Sequence, residues 1–376
     1  MPSITRAFGG PTEAVLGYAA AGLEAGIEAT IAAPTPGASD LASFRERLDP
    51  AVGLMTFGTV GSGSLAVSPA MLRELRNRRP AWDVAHVHGL FNLVSTLGAR
   101  TALRIRLPLV LRPFGTLSRF TMLHRRSLAK RVYFELLERR NVAGAGAVHF
   151  TSDAERDEAA WHGVPLEGRG YVIPPPSPID ARPLPRTGPR GDRVLFLSRL
   201  HPKKGIELLV DAWPAVTAAR RGASLTIAGD GEPAYIEALR ARVMQRSAAP
   251  GEVTFPGFVH GNTKAALLAT AGVFVLPSQH ENFGVAVVEA IAAGVPVVIS
   301  EGVQLAPWVR EHGLGYVVER TPEALAAAIV RALGDDVLRA RCEAHGAELV
   351  ARSFSARGVG AMLRAMYEDV VSHARI

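Results

Sequence analysis

Cysteine is almost absent from this sequence: among 376 residues only Cys342 carries a thiol. One thiol excludes an intramolecular disulfide framework and any multi-cysteine zinc site, and it fits a reducing cytoplasm. Aromatic residues are scarce as well, at 6%. That leaves little to stack against bases, no nucleic-acid module is present, and no nucleic acid is expected as a partner. Long apolar runs are also lacking. Ala265 to Pro277 is too short to cross a bilayer, and Phe283 to Ile299 contains Glu289 and Pro296, so no transmembrane helix is expected. Met1-Pro2-Ser3-Ile4-Thr5-Arg6 has neither the charged head nor the apolar run of a secretory signal. A soluble, cytoplasmic chain is expected.

Apolar material is plentiful at 48%, with 20% charged residues, so large cores form and disorder does not dominate. The length suits two domains better than one. The net charge of +7 is modest and partly local. Between Arg119 and Arg140 lie Arg119, Arg125, Arg126, Lys130, Arg131, Arg139 and Arg140 against only Glu135 and Glu138. Three readings fit such a segment: nucleic acid, an anionic membrane surface, or a solvated helix face. Ala129, Val132, Tyr133 and Leu136 follow helical spacing and place its charges on an outer face.

Short apolar runs alternate with helical patterns through both halves, which implies parallel sheets with crossover helices. Strands are expected at Glu28–Ala33, Asp83–His88, Leu107–Arg112 and Gly146–Thr151, then at Arg193–Ser198, Ser224–Ala228, Val253–Phe255, Val273–Leu276 and Val295–Ile299. Prolines from Pro174 to Pro189 cannot be helix or central sheet and read as a linker. The expected layout is a first domain over 1–178, a linker over 179–189, a second domain over 190–351 and a terminal helical segment over 352–376. Gly9-Gly10 arrives after only eight residues of poor strand material, so the first strand is expected to be shortened or missing.

Two stretches carry chemistry. Val194-Leu195-Phe196-Leu197-Ser198 runs into Arg199-Leu200-His201-Pro202-Lys203-Lys204-Gly205 and then a helix. A strand delivering Arg199 and Lys204 just before a helix N-terminus makes a receptor for a diphosphate; a solvated basic turn is the alternative. Further on, Glu281-Asn282-Phe283-Gly284 opens a helix that carries Glu289. Such carboxylates are either an acid/base couple or acceptors for sugar and ribose hydroxyls, while the backbone near Gly284 and Val285 offers N–H donors to phosphate. A helix cap plus a surface glutamate is the bland alternative. Gly229-Asp230-Gly231 mimics a dinucleotide fingerprint, but no acidic residue ends the next strand, which argues against a nicotinamide or flavin enzyme. His88 reaches the carboxyl end of its strand, where ligands bind, whereas His86 is read as structural.

In this order, after a proline-rich linker, these stretches resemble the retaining glycosyltransferases of family 4, the group 1 type. Asp83-Val84-Ala85-His86-Val87-His88-Gly89 and His149-Phe150-Thr151-Ser152 agree with that resemblance. It implies an α/β protein of GT-B fold, two Rossmann-like doubly wound domains facing a central cleft, with the last helix crossing back to the first domain. Arg199 and Lys204 would hold the donor's diphosphate, Glu281 the sugar, and Glu289 the ribose. Gly9, Gly10, Gly229, Gly231, Val259, Asn282, Phe283, Gly284 and Val285 would complete the donor site. His88 would act on the acceptor or sugar side. Many members carry a histidine where this chain has Arg112-Pro113-Phe114, so Arg112 and Phe114 are assigned to the acceptor side instead. No metal is expected, in keeping with the lack of an Asp-x-Asp sequence. The implied reaction moves a hexose from a UDP- or GDP-sugar to a hydroxyl with retention. A lipid-linked saccharide in surface polysaccharide assembly is the expected acceptor, with Arg119, Arg125, Arg126, Lys130 and Arg131 on the inner face of the membrane. A soluble acceptor is the alternative; a nucleotide-sugar epimerase would share the fold but fits the glutamate pattern less well.

Overall fold

The computed structural model describes residues 1–5, 10–118, 121–122, 127–160, 163–164, 166–177, 191–246 and 252–374. The expected linker, Gly9, Arg119, Arg125 and Arg126 lie outside these residues. The chain divides into two units, Met1–Pro176 with Ala356–Ile376, and Ser177–Ser355.

In the first unit, β1 (Thr30–Pro34) pairs in parallel with β2 (Gly53–Phe57), apart from a second parallel sheet. That sheet runs β3 (Ala85–His88), β4 (Leu109–Arg112), β5 (Ala147–Phe150) and β6 (Gly170–Val172), with neighbours paired in that order. Every residue of β4 and β5 is buried, the mark of strands covered on both faces. One face carries Leu109, Leu111, Val148 and Phe150 against Ala99, Phe134 and Val142. Helices Gly10–Glu24 and Ala356–Ala374 supply the core of the other. Val359, Leu363, Met366 and Val370 repeat at helical spacing and are all buried. Each contributes about 1.5–3 kcal/mol by leaving water. Residues 1–5 form no strand: the Met1 amine donates to the Ala32 carbonyl at 2.8 Å, and Ile4 is buried among Val15, Ile31 and Phe44.

The segment with the basic cluster departs from its expected phase. A helix over Ser127–Tyr133 passes through a π-type turn at Phe134–Glu138 into a second helix at Arg139–Gly144. Val132 and Leu136, expected on the buried face, are exposed, as is Leu128. Phe134, Glu138, Asn141 and Val142 turn inward instead. The turn adds a residue to the helical repeat and rotates the face that follows. Lys130, expected to face a membrane, donates to the Thr121 carbonyl at 2.8 Å.

The second unit holds six parallel strands: β7 (Arg193–Leu197), β8 (Ser224–Ala228), β9 (Val253–Gly257), β10 (Val273–Leu276), β11 (Val297–Ser300) and β12 (Gly315–Val318). Their spatial order is β12-β11-β10-β7-β8-β9. Counted from β7 this is the doubly wound order, and it reverses direction between β7 and β10. Wholly buried β10 and β11 form the middle of a core that includes Trp213, Val287, Ile291 and Ile329. β2, β6 and β12 are absent from the strands expected above. β6 has three residues and β12 opens on Gly315, so neither gives an apolar run long enough to read.

Candidate active site

Ligands of doubly wound sheets lie beyond the carboxyl ends of the strands where the order reverses. In the second unit that place is flanked by the loops after β7 and β10. The first carries Arg199, Lys203 and Lys204; the second carries Glu281. The Gln279 amide donates to the Lys203 carbonyl at 2.7 Å, tying the two loops together. The Lys204 ammonium, nearly buried, bonds to the Glu281 carboxylate. Burial works to raise the Glu281 pKa, but the Lys204 ammonium, aided by Lys203 and His280, holds it below the usual carboxylate range. Burial and the adjacent Lys204 push Lys203 below the ordinary lysine range. Arg199 is exposed in the same loop. Three cations crowded at one loop suit a multiply charged anion.

The loop after β11 completes the frame. The Glu281 amide donates to the Gly302 carbonyl at 2.8 Å, and the Gln304 amide donates back to the Glu281 carbonyl at 3.0 Å. Gly284, with φ of 90°, caps the helix Val285–Ala292, whose N-terminus faces the same loop cluster. Glu289 is buried on that helix and paired with Lys264, a residue with no motif around it to announce the pairing. Phe283 is buried edge-on against Phe354, 5.3 Å between ring centroids, so its side chain anchors the loop. Gly229 and Gly231 have a reason within the unit. A Cβ on them would stand 1.9 Å from the Ser198 carbonyl oxygen and 2.2 Å from that of Leu200. They let the β8 loop lie against the β7 loop. Val259 is buried after β9, and Asn282 is half-buried beside Glu281.

In the first unit, β3 and β4 place His88 opposite Arg112 at their carboxyl ends. Both are buried, and the Arg112 guanidinium carbon lies 4.3 Å from the Tyr18 ring centre and 4.1 Å from that of Phe114. Phe91 and Phe114, in the loops after these two strands, have φ of 60° and 57°. Such backbone costs about 1–3 kcal/mol per residue and gathers at functional sites. Deeper in, His149 Nε2 is 2.7 Å from the Ile173 carbonyl oxygen, which only accepts, so this nitrogen carries the proton. His149 Nδ1 then accepts from His86 Nε2 at 3.3 Å, and His86 Nδ1 accepts from the Tyr367 hydroxyl at 2.7 Å. Two neutral imidazoles satisfy the whole chain. Burial, then Arg112, pushes His86 down to about 3. Gly10 opens the helix Gly10–Glu24 with open space around it.

Family models match both halves. The one described as "Glycosyl transferase 4-like domain" covers residues 9–176, and "Glycosyl transferases group 1" covers 191–335. The chain belongs to the group 1 glycosyltransferases. Its α/β architecture of parallel sheets in two units is the GT-B fold. Among solved structures, HepE of Anabaena, in complex with UDP and glucose, matches with a TM-score of 0.76 at 19% identity over 97% of each chain. The phosphatidyl-myo-inositol mannosyltransferase of Mycobacterium leprae is 35% identical over 185 residues, 48% of each protein. D-inositol 3-phosphate glycosyltransferase of Jonesia denitrificans is 34% identical over 187 residues, 48% of this chain and 43% of that protein. The chain thus spans about half the length of the curated relatives it matches. For a group 1 glycosyltransferase, motif reading located Lys204 and Glu281 but not Lys203 or Lys264. Lys203 stands between a proline and Lys204, and Lys264 sits on an ordinary helix, so neither has a signature.

Proposed function

We propose that this chain is a retaining glycosyltransferase moving a hexose from a UDP- or GDP-linked donor to a hydroxyl of a lipid-linked saccharide. The second unit binds the donor and the first the acceptor. The observation that carries the reading is the Lys204–Glu281 pair at the strand-order reversal, beside Lys203, Arg199 and the helix N-terminus at Gly284. A diphosphate drawing Lys204 to itself frees Glu281 for sugar hydroxyls, so donor binding exchanges one ion pair for another. The bond from the anomeric carbon to the β-phosphate oxygen then breaks as the acceptor oxygen bonds on the same face, and the acceptor proton passes to the departing phosphate. Arg199 and Lys204 offset the charge that grows on that leaving group. The part of Glu289 is to hold the ribose, together with Lys264.

For the acceptor, the support is a surface. Leu128, Val132 and Leu136 form an exposed apolar stripe at i, i+4, i+8, with exposed Arg131, Arg139 and Arg140 around it. Among the described residues no helix is long and apolar enough to cross a membrane. Such a stripe suits shallow insertion into an anionic leaflet, where each basic residue contributes about 1 kcal/mol. The name of the mycobacterial relative, a phosphatidylinositol mannosyltransferase, points the same way.

A thermal-shift panel of UDP- and GDP-sugars tests the donor. A ligand held at about 100 times its dissociation constant stabilises by about 2.7 kcal/mol, and one nucleotide series is expected to shift the midpoint. The responding sugar is then incubated with candidate acceptors. A product with the donor's anomeric configuration supports the proposal; a free epimer, or a response to nicotinamide dinucleotides alone, rejects it.

A further inference from the structure

Arg112 is a buried cation whose Nε and Nη1 have no hydrogen-bond partner among the described residues, and the neighbouring His88 Nδ1 likewise has none among them. The rings of Tyr18 and Phe114 pack against the guanidinium carbon, and the N–H groups without a partner are the part able to bind. Glu155, the carboxylate whose charge acts on Arg112, is engaged elsewhere: it accepts from the Gly115 amide and from the Thr151 amide and hydroxyl. The adjacent His86, His88 and His149 cannot supply a negative counter-charge in any state, and burial with the nearby positive charge keeps them neutral. A guanidinium taken out of water and left with unused donors costs stability unless something else uses them. It stands at the carboxyl ends of β3 and β4, the edge from which doubly wound sheets bind ligands.

We infer that Arg112 and His88 form an oxyanion receptor in the first unit, and that it takes a phosphate or carboxylate carried by the acceptor. The inference rests on the transferase reading above, since it names the chemical class of that acceptor. Arg112 forks two oxygens, and His88 Nδ1–H donates to a third.

The test uses the full chain with Arg199→Ala and Lys204→Ala, so that phosphate bound at the diphosphate loop is removed from the signal. Inorganic phosphate and acetate are titrated in low-chloride buffer while the melting midpoint is followed. Phosphate is expected to raise it, and Arg112→Met to weaken that response at least tenfold. Methionine packs between Tyr18 and Phe114 without a charge; Arg112→Lys, which keeps the charge but not the fork, serves as the second variant with an intermediate response. His88→Phe weakens it as well. In the chain with Arg199 and Lys204 intact, Arg112→Met leaves the UDP response in place. A phosphate response that is missing at the outset, or that survives Arg112→Met and Arg112→Lys, overturns the receptor. A UDP response weakened by Arg112→Met assigns the anion to the donor and overturns the acceptor assignment. Loss of UDP binding on Arg199→Ala and Lys204→Ala reports on the second unit alone, so the two readings fail separately.

Discussion

Lys204 is bonded to Glu281 and sets the ionisation of that carboxylate. The carboxylate stays ionised although burial opposes it, because the ammonium is against it. In Lys204→Met that support goes and burial remains, so the Glu281 carboxyl is expected to titrate higher. A double-mutant cycle with Lys204→Met and Glu281→Gln, read by urea unfolding, is expected to give a coupling of about 1–3 kcal/mol. Additive effects would mean that the pair is incidental. Glu281→Ala is also expected to lower turnover by about 10²-fold, the scale of losing one positioned polar group. At this scale the sequence was readable where residue type dictates chemistry. Arg199, Lys204 and Glu281 are picked out as charges beyond strand ends, with a solvated turn and a helix cap as the alternatives; folding sets Lys204 against Glu281 and leaves Arg199 exposed. Gly229 and Gly231 were seen but given a ligand to face, whereas the carbonyls of Ser198 and Leu200 already require them. Lys264 went unseen, since its partner Glu289 lies 25 residues away and only folding joins them.

Among the elements, strands buried on both faces were legible from apolar runs alone, as in β4, β10 and β11. The segment Ser127–Gly144 was not. Periodicity placed Val132 and Leu136 inward, and nothing in a helical wheel foretells a π-type turn. What sets the true phase is polar: Glu138, wholly buried, accepts from the Phe91 amide at 3.1 Å, the Thr96 hydroxyl at 2.7 Å and the Asn141 amide at 3.1 Å. That network fixes the helix and leaves Leu128, Val132 and Leu136 outside. Replacing all three by serine is therefore expected to change unfolding free energy by no more than about 1 kcal/mol, as for exposed sites generally. Binding to anionic vesicles should fall sharply in the same variant, and 0.5 M salt should weaken what the wild type shows. Flotation of both proteins with phosphatidylglycerol vesicles measures this. Equal recovery of the two would remove the stripe from membrane binding, and a large stability loss would show that it packs on the protein.

For the molecule as a whole, the two units are expected to answer acid differently. The first unit buries His86, His88 and His149 as neutral imidazoles, with burial the largest cause of their lowered pKa values. In the unfolded chain each binds a proton once the pH drops below about 6.5, while in the folded unit each resists doing so; His86 holds out to about 3. The unfolded state thus binds more protons throughout that interval, and stability present above pH 6.5 is lost as the pH falls. Each histidine contributes at most about 1.4 kcal/mol per pH unit. In the second unit the shifted carboxyls act with the same sign but in a lower pH window. Glu281, Asp211 and Asp335 are held below their usual values, so their contribution persists until the pH falls beneath the ordinary carboxylate range. Between pH 7 and pH 5 these groups weaken the first unit alone. Hydrogen exchange, corrected for intrinsic rate, should show protection falling in peptides from β4 and from Ala356–Ala374, with little change in β10 and β11. His86→Asn is expected to flatten that pH response, because its place in the Tyr367–His86–His149 chain is then taken by a group that does not titrate. Equal loss of protection in both units over this range would mean that the imidazole cluster does not govern their difference.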